Sequence, residues 1–165
     1  MSKGVLTFFC GKMGAGKTTK AYEIAQSSNT VLISEDEWLE ALYPRAITSL
    51  DAYLQYSARL KPQIKKLVQS ILMAGTDVVM DFPANTLAQR QWFKTIFSEI
   101  YAPYKLIFID LPDDVCKTQI AKRRAEQPDR AATDTVAMFE QVTRHFVPPT
   151  VEERFTTTVI KSPRG

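Results

Sequence analysis

Histidine is nearly missing from this 165-residue chain and cysteine is scarce: His145 stands alone, with Cys10 and Cys116. Two thiols cannot build a disulfide scaffold, and one imidazole with two thiols cannot close a structural zinc site without carboxylates. Both cysteines are therefore expected to be reduced and structural. Long apolar runs are absent as well. The most apolar stretches, residues 5–10 and 106–109, fall far short of the roughly 18 residues that a membrane span requires. Lys3 and the apolar run after it resemble the start of a signal peptide. That run breaks at Gly11-Lys12 without a small-residue cleavage site, and Ser2 stands where myristoylation needs glycine. A cytoplasmic protein is expected. An excess of one charge sign is missing too: 21 Lys and Arg against 18 Asp and Glu leave +3, too mild to favour a nucleic-acid partner. With 45% hydrophobic and 24% charged residues and only 6 glycines and 9 prolines, the chain reads as one globular domain over residues 1–165.

Strand-like and helix-like segments alternate from end to end. Residues 5–9, 30–33, 77–81, 105–110 and 155–160 read as short strands. Residues 18–26, 37–42, 50–74, 87–100, 113–126 and 134–145 read as helices, with Pro62 marking a kink or a fresh start in the longest. Residues 127–133, broken by Pro128, read as a loop. Strands separated by helices predict an α/β fold: a mostly parallel sheet of five strands with helices on both faces.

The strongest motif is Gly11-Lys12-Met13-Gly14-Ala15-Gly16-Lys17-Thr18, which fits G-x-x-x-x-G-K-[ST]. Phosphates carry several charges, so a loop that binds them must present many donors at close range. Small residues let the backbone N–H groups curl around the anion, and the helix that follows adds its N-terminal dipole. Lys17 is expected at the β- and γ-phosphates and Thr18 at Mg²⁺, with residues 11–19, Thr19 included, forming the nucleotide-binding segment. No N-K-x-D or T-K-x-D reads guanine, so ATP is the expected nucleotide.

Three further features fall where strands should end, the edge at which open α/β sheets bind ligands. Ser34-Glu35-Asp36-Glu37-Trp38 follows the second strand. A carboxylate there either takes a proton from a substrate hydroxyl or only caps a helix. Asp81 ends an apolar strand, the form of a carboxylate on the Mg²⁺ side of a phosphate-loop protein, or of a simple turn cap. Lys117, Lys122, Arg123, Arg124 and Arg130 cluster toward the Pro128 loop, as cations for a migrating phosphoryl group or as a solvated face. Tyr53, Tyr56 and Trp38 pack or stack on a ring-bearing substrate. His145 lies in no partner motif.

With these features in place, the chain resembles the small phosphate-loop kinases that include the kinase domain of polynucleotide kinases, chloramphenicol phosphotransferase and the zeta toxins. Within that group it is similar to the AAA-type ATP-binding members, through Asp81-Phe82, Thr86, Gln89-Arg90, Met138-Phe139 and Phe146-Val147-Pro148-Pro149. The resemblance implies a three-layer α/β/α sandwich of the phosphate-loop NTPase class, like nucleoside and nucleotide kinases. It implies Asp36 as general base, Lys17 with Arg123 and Arg124 as the other catalytic residues, Thr18 and Asp81 as metal ligands, and a lid over residues 122–134. It implies ATP and Mg²⁺, with a small hydroxylated acceptor. Polynucleotide kinases carry an arginine shortly after the catalytic aspartate, whereas Trp38-Leu39-Glu40 follow here, which disfavours a nucleic-acid acceptor. A nucleotide-controlled ATPase or binding module, and a kinase of nucleic-acid 5′ ends, are the alternatives. Acceptor-dependent ATP turnover separates out the first, and salt-sensitive oligonucleotide binding the second.

Overall fold

Period-two alternation of buried side chains shapes the molecule, a computed structural model of which describes residues 2–130 and 133–162. Strands β1 (Leu6–Cys10), β2 (Thr30–Ser34), β3 (Asp77–Pro83), β4 (Tyr104–Ile109) and β5 (Thr157–Ile160) form one sheet. Its order is β2-β3-β1-β4-β5, and every neighbouring pair is parallel. Leu6, Phe8 and Cys10 of β1, with Val78, Met80 and Phe82 of β3, enter one core layer. Phe9, Val79, Ile107 and Ile109 enter the other. A sheet buried on both faces needs helices on both, which is the parallel α/β solution.

Those helices are α1 (Lys17–Ala25), α2 (Glu35–Leu42), α3 (Leu50–Met73), α4 (Leu87–Ser98), α5 (Asp113–Glu126) and α6 (Val136–Thr143). The first layer is filled by Leu60, Ile64, Val68 and Leu72 of α3 and by Phe93, Ile96 and Phe97 of α4. Ala21, Cys116, Ile120 and Phe139 fill the second from α1, α5 and α6. Phe93 stacks on Phe8 at 4.5 Å between ring centroids. Cys10 and Cys116 are free and buried, and burial pushes the Cys10 thiol up to about 11, far from a reactive thiolate. Among the described residues no helix is long and apolar enough to cross a membrane.

The structure corrects several expected boundaries. Helix α3 neither restarts nor breaks at Pro62. Its buried stripe, Ser57, Leu60, Ile64, Val68 and Leu72, runs straight through the proline, and packing outweighs the one lost backbone bond. Helix α2 begins at Glu35, because Ser34 is its cap and accepts from the Glu37 N–H at 3.3 Å. Helix α6 begins at Val136 under a Thr135 cap rather than at Asp134, whose carboxylate is engaged elsewhere. A 3₁₀ turn at Val151–Glu153 precedes β5.

That turn anchors a buried charge. Arg90 of α4 is fully buried. Its Nε donates to Glu153 Oε1 at 2.8 Å, and its guanidinium also donates to the carbonyls of Ala84 and Pro148, at 2.9 and 3.3 Å. Burial alone would push the Glu153 carboxyl up, but hydrogen bonds from Arg90 and Thr150 outweigh it and hold the group below its ordinary 4.5. The stabilisation is therefore complete above about pH 4.5 and is lost as pH falls through the lower folded value. Glu153→Gln leaves the buried guanidinium uncompensated and should cost about 3 kcal/mol, or roughly 6–12 °C in melting temperature. Thermal melts from pH 3 to 7 should show this loss at neutral pH and a shallower acid limb in the variant.

Candidate functional site

The C-terminal ends of β1, β2 and β3 deliver three segments to one edge of the sheet. Register sets their alignment: Ser34 lies opposite Asp81. Between β1 and β3 the pairing jumps from Phe8–Met80 to Phe9–Pro83. Asp81 and Phe82 thus have no partners on β1, a bulge that turns the strand end beside the phosphate loop.

The loop itself is held in shape by steric constraint and by one borrowed side chain. Gly14 has φ +81°, and a Cβ there would lie 2.6 Å from the Cys116 carbonyl oxygen and from Ile120, so only glycine fits. Gly16, at φ +100°, is the left-handed N-cap of α1. The Gly11 N–H donates to Asn85 Oδ1 at 2.9 Å, and Asn85 in turn receives the Val147 N–H on its carbonyl at 2.8 Å. Lys17 Nζ donates to the carbonyls of Gly11 and Lys12. Burial lowers the Lys17 pKa, with Asp81 pulling it the other way; the negative charge of an approaching phosphate would offset the cost of that burial. Thr18 Oγ1 donates to Asp81 Oδ2 at 2.8 Å, a hydroxyl and a carboxylate beside the loop. Lys12 is tied to Asp113 at 2.6 Å.

The acidic turn divides its three carboxylates between three tasks. Glu35 is 3% exposed and accepts from Tyr53 Oη at 2.5 Å and Ser57 Oγ at 2.7 Å, pinning α2 to α3. Glu37 accepts from Tyr22 Oη, pinning α2 to α1. Asp36 is left facing the cleft, its side chain 68% exposed and 3.9 Å from Arg130. The turn is thus a helix cap at Ser34 and an open carboxylate at Asp36 together.

The basic segment also separates by position. Asp134 is buried and takes two bonds from Arg123, both at 2.8 Å, and one from Arg130 at 2.9 Å. Burial would raise its carboxyl, but the two guanidinium groups dominate and hold it below its ordinary 3.8. Arg123 and Arg130 line the same cleft as the loop and the acidic turn. Arg124 instead lines a separate cavity of about 400 Å³ with Lys117 and Phe139, between α5 and α6. Residues 131 and 132 of the expected lid lie outside the described residues. Asn85, Glu35 and Asp134 were missed as site-building residues by sequence reasoning; each acts on a partner distant in sequence or across a loop. Tyr53 lines the cleft, whereas Tyr56 packs on Tyr43 at 4.3 Å. His145 is exposed at the cleft's rim.

Asp134→Ala should free both guanidinium groups, which are roughly a third exposed and stay solvated, and cost about 2–3 kcal/mol. Hydrogen exchange should then rise by at least tenfold in the last turn of α5 and in α6, with β1 and β3 unchanged.

The resemblance of the whole arrangement to known proteins is broad in fold and low in identity. A sugar kinase from Janibacter sp. superposes with a TM-score of 0.64 at 14% identity, over 98% of this chain and 88% of that one. The Mycobacterium tuberculosis APS kinase, solved with AMPPNP and APS, gives 0.59 at 15% identity, over 99% and 83%. A chain of the Pnkp1/Rnl/Hen1 RNA repair complex gives 0.63 at 21% identity, over 89% of this chain and 47% of that one. No curated protein matches the sequence. Residues 6–149 match the AAA domain family, a span running from the first strand past the last helix with the phosphate loop at its start, and the chain belongs to that family.

Proposed function

We propose that this protein is an ATP-dependent phosphotransferase that moves the γ-phosphate of ATP to a hydroxyl of a small acceptor. The observation that carries this reading is the single cleft in which the phosphate loop, Asp36 and the lid cations Arg123 and Arg130 meet. Its volume is about 1580 Å³, above the roughly 300–1,000 Å³ of a site for one small ligand, so there is space for a nucleotide and a second substrate. The shared fold with a sugar kinase and an APS kinase supports the same class of reaction.

In this reading the loop amides and Lys17 hold the β- and γ-phosphates. The Thr18 hydroxyl and Asp81 carboxylate form an oxygen-only donor pair of the kind Mg²⁺ takes alongside phosphate oxygens. When bound, that ion neutralises phosphate charge. Asp36 accepts the proton of the acceptor hydroxyl as it attacks. Arg130, held by Asp134 and beside Asp36, stabilises the charge that spreads over the phosphoryl oxygens in transfer, with Arg123 behind it on the same anchor. Arg124, on the other side of α5, has no part in this step.

Lys17→Ala removes a charged hydrogen-bond donor and should weaken Mg·ATP binding by about 10–100-fold, read by calorimetry, with the melting temperature held. Affinity equal to wild type would overturn the nucleotide assignment. Asp36→Asn keeps the side chain's size and leaves the Ser34 cap in place. It should bind Mg·ATP normally, melt normally and lose about 10²–10⁴-fold in transfer rate. The rate assay uses a screen of nucleosides, sugars and antibiotics for Mg·ATP-dependent phosphorylation. ATP turnover indifferent to every acceptor in that screen, and equal in Asp36→Asn, would mark an ATPase instead.

A further inference from the structure

Among the described residues, every cation lining the cleft but one comes from the nucleotide side. Lys12, Lys17, Lys20, Lys122, Arg123 and Arg130 belong to the loop, α1, α5 and the turn after it. Lys61 comes from α3, the opposite wall, where Ile47, Leu50, Leu54 and Phe82 also face the cleft. Resting on the kinase reading above, we propose that this wall is an acceptor subsite for a hydroxylated compound that already carries an anionic group, received by Lys61, beside an apolar face.

Three observations lead there. First, Lys61 makes no ion pair or hydrogen bond among the described residues. Its Nζ instead sits over the Trp92 ring, 5.1 Å from the centroid. Lys12 and Lys65, each about a quarter exposed, pair with carboxylates at 2.6 and 2.9 Å. Second, the nearby Glu35 does not serve as its partner. Both Glu35 oxygens are taken by Tyr53 and Ser57, so Glu35 attracts the ammonium without binding it. Burial disfavours the charge on Lys61 and Glu35 offsets that only in part; an incoming anion would complete the compensation. A partly buried ammonium with three donors and no acceptor is poised to bind one. Third, the flanking side chains set the rest of the ligand. Leu54 is 51% exposed on this wall. Contact there favours an acceptor with an apolar face over one bearing hydroxyls all round, whose hydroxyls would lose water without a partner.

The test first saturates the full-length protein with Mg·AMP-PNP, which occupies the phosphate loop. Phenyl phosphate and a neutral aromatic of similar size, benzyl alcohol, are then titrated into wild type, Lys61→Met and Lys61→Arg, following amide shifts in α3 by NMR. Wild type should bind phenyl phosphate at least tenfold more tightly than benzyl alcohol. Lys61→Met, which keeps the apolar stem on Trp92, should erase that preference, and Lys61→Arg should restore it. Equal affinity for the two probes, binding of neither, or a preference that survives in Lys61→Met overturns the subsite. If AMP-PNP itself does not bind wild type, the nucleotide-site reading fails first and the subsite falls with it.

Discussion

The guanidinium of Arg90 joins segments far apart in the chain directly beneath the phosphate loop. It donates to the Ala84 carbonyl, one residue before Asn85, and lies 3.7 Å from the sulfur of Cys10, one residue before Gly11. From the other side it holds Pro148 and Glu153 of the C-terminal segment. Asn85 then fixes the Gly11 N–H and the Val147 N–H together. A buried charge is tolerated only when its donors are satisfied, so the β1 end, the β3–α4 connection and the segment after α6 must all be in place at once. The loop's shape is thus a tertiary property, although its residues are contiguous.

The same economy of partners governs the acidic turn and the basic residues at the end of α5 and in the turn after it. Of three consecutive carboxylates, Glu35 gives both oxygens to Tyr53 and Ser57 of α3 and Glu37 gives one to Tyr22 of α1, while Asp36 keeps its oxygens clear of these tyrosines and meets Arg130 in the cleft. Asp134 gathers Arg123 and Arg130 at one buried point, which places Arg130 beside Asp36 rather than in solvent. Cations on a flexible stem are costly to order, and a buried, doubly bonded carboxylate orders two of them together. The chemistry proposed for the cleft depends on this sorting, since a base must have free lone pairs and an electrostatic clamp must be held in position beforehand.

Much of this could be read from the residues alone. Apolar runs located the inner strands, because a strand buried on both faces must be apolar at successive positions, and β-branched residues located β5, which is only partly buried. The loop was legible because phosphate binding demands glycines and a lysine at adjacent positions, and local geometry supplies the strand before and the helix after. Boundaries were less legible where a side chain's partner lies elsewhere. Asp134 is a good helix cap by type, yet the guanidinium groups of Arg123 and Arg130 claim it. Pro62 breaks helices by type, yet the stripe from Ser57 to Leu72 carries α3 through it.

Composition and spacing by themselves therefore determined the fold class, the nucleotide loop and most of the set of residues that line the cleft, though not Asn85 or Lys61. Only the tertiary structure decided which members of that set act together. Asp36 keeps clear of the tyrosines that bind Glu35 and Glu37, Arg130 and not Arg124 lines the cleft, and Lys61 is its one cation from the α3 wall among the described residues. The physical reason is that burial and hydrogen bonding are shared out in three dimensions. Glu35, Asp36 and Glu37 are nearly equivalent in sequence, and Arg123 and Arg124 are adjacent and identical. What separates them is the direction each side chain takes from its helix and the partner it finds there.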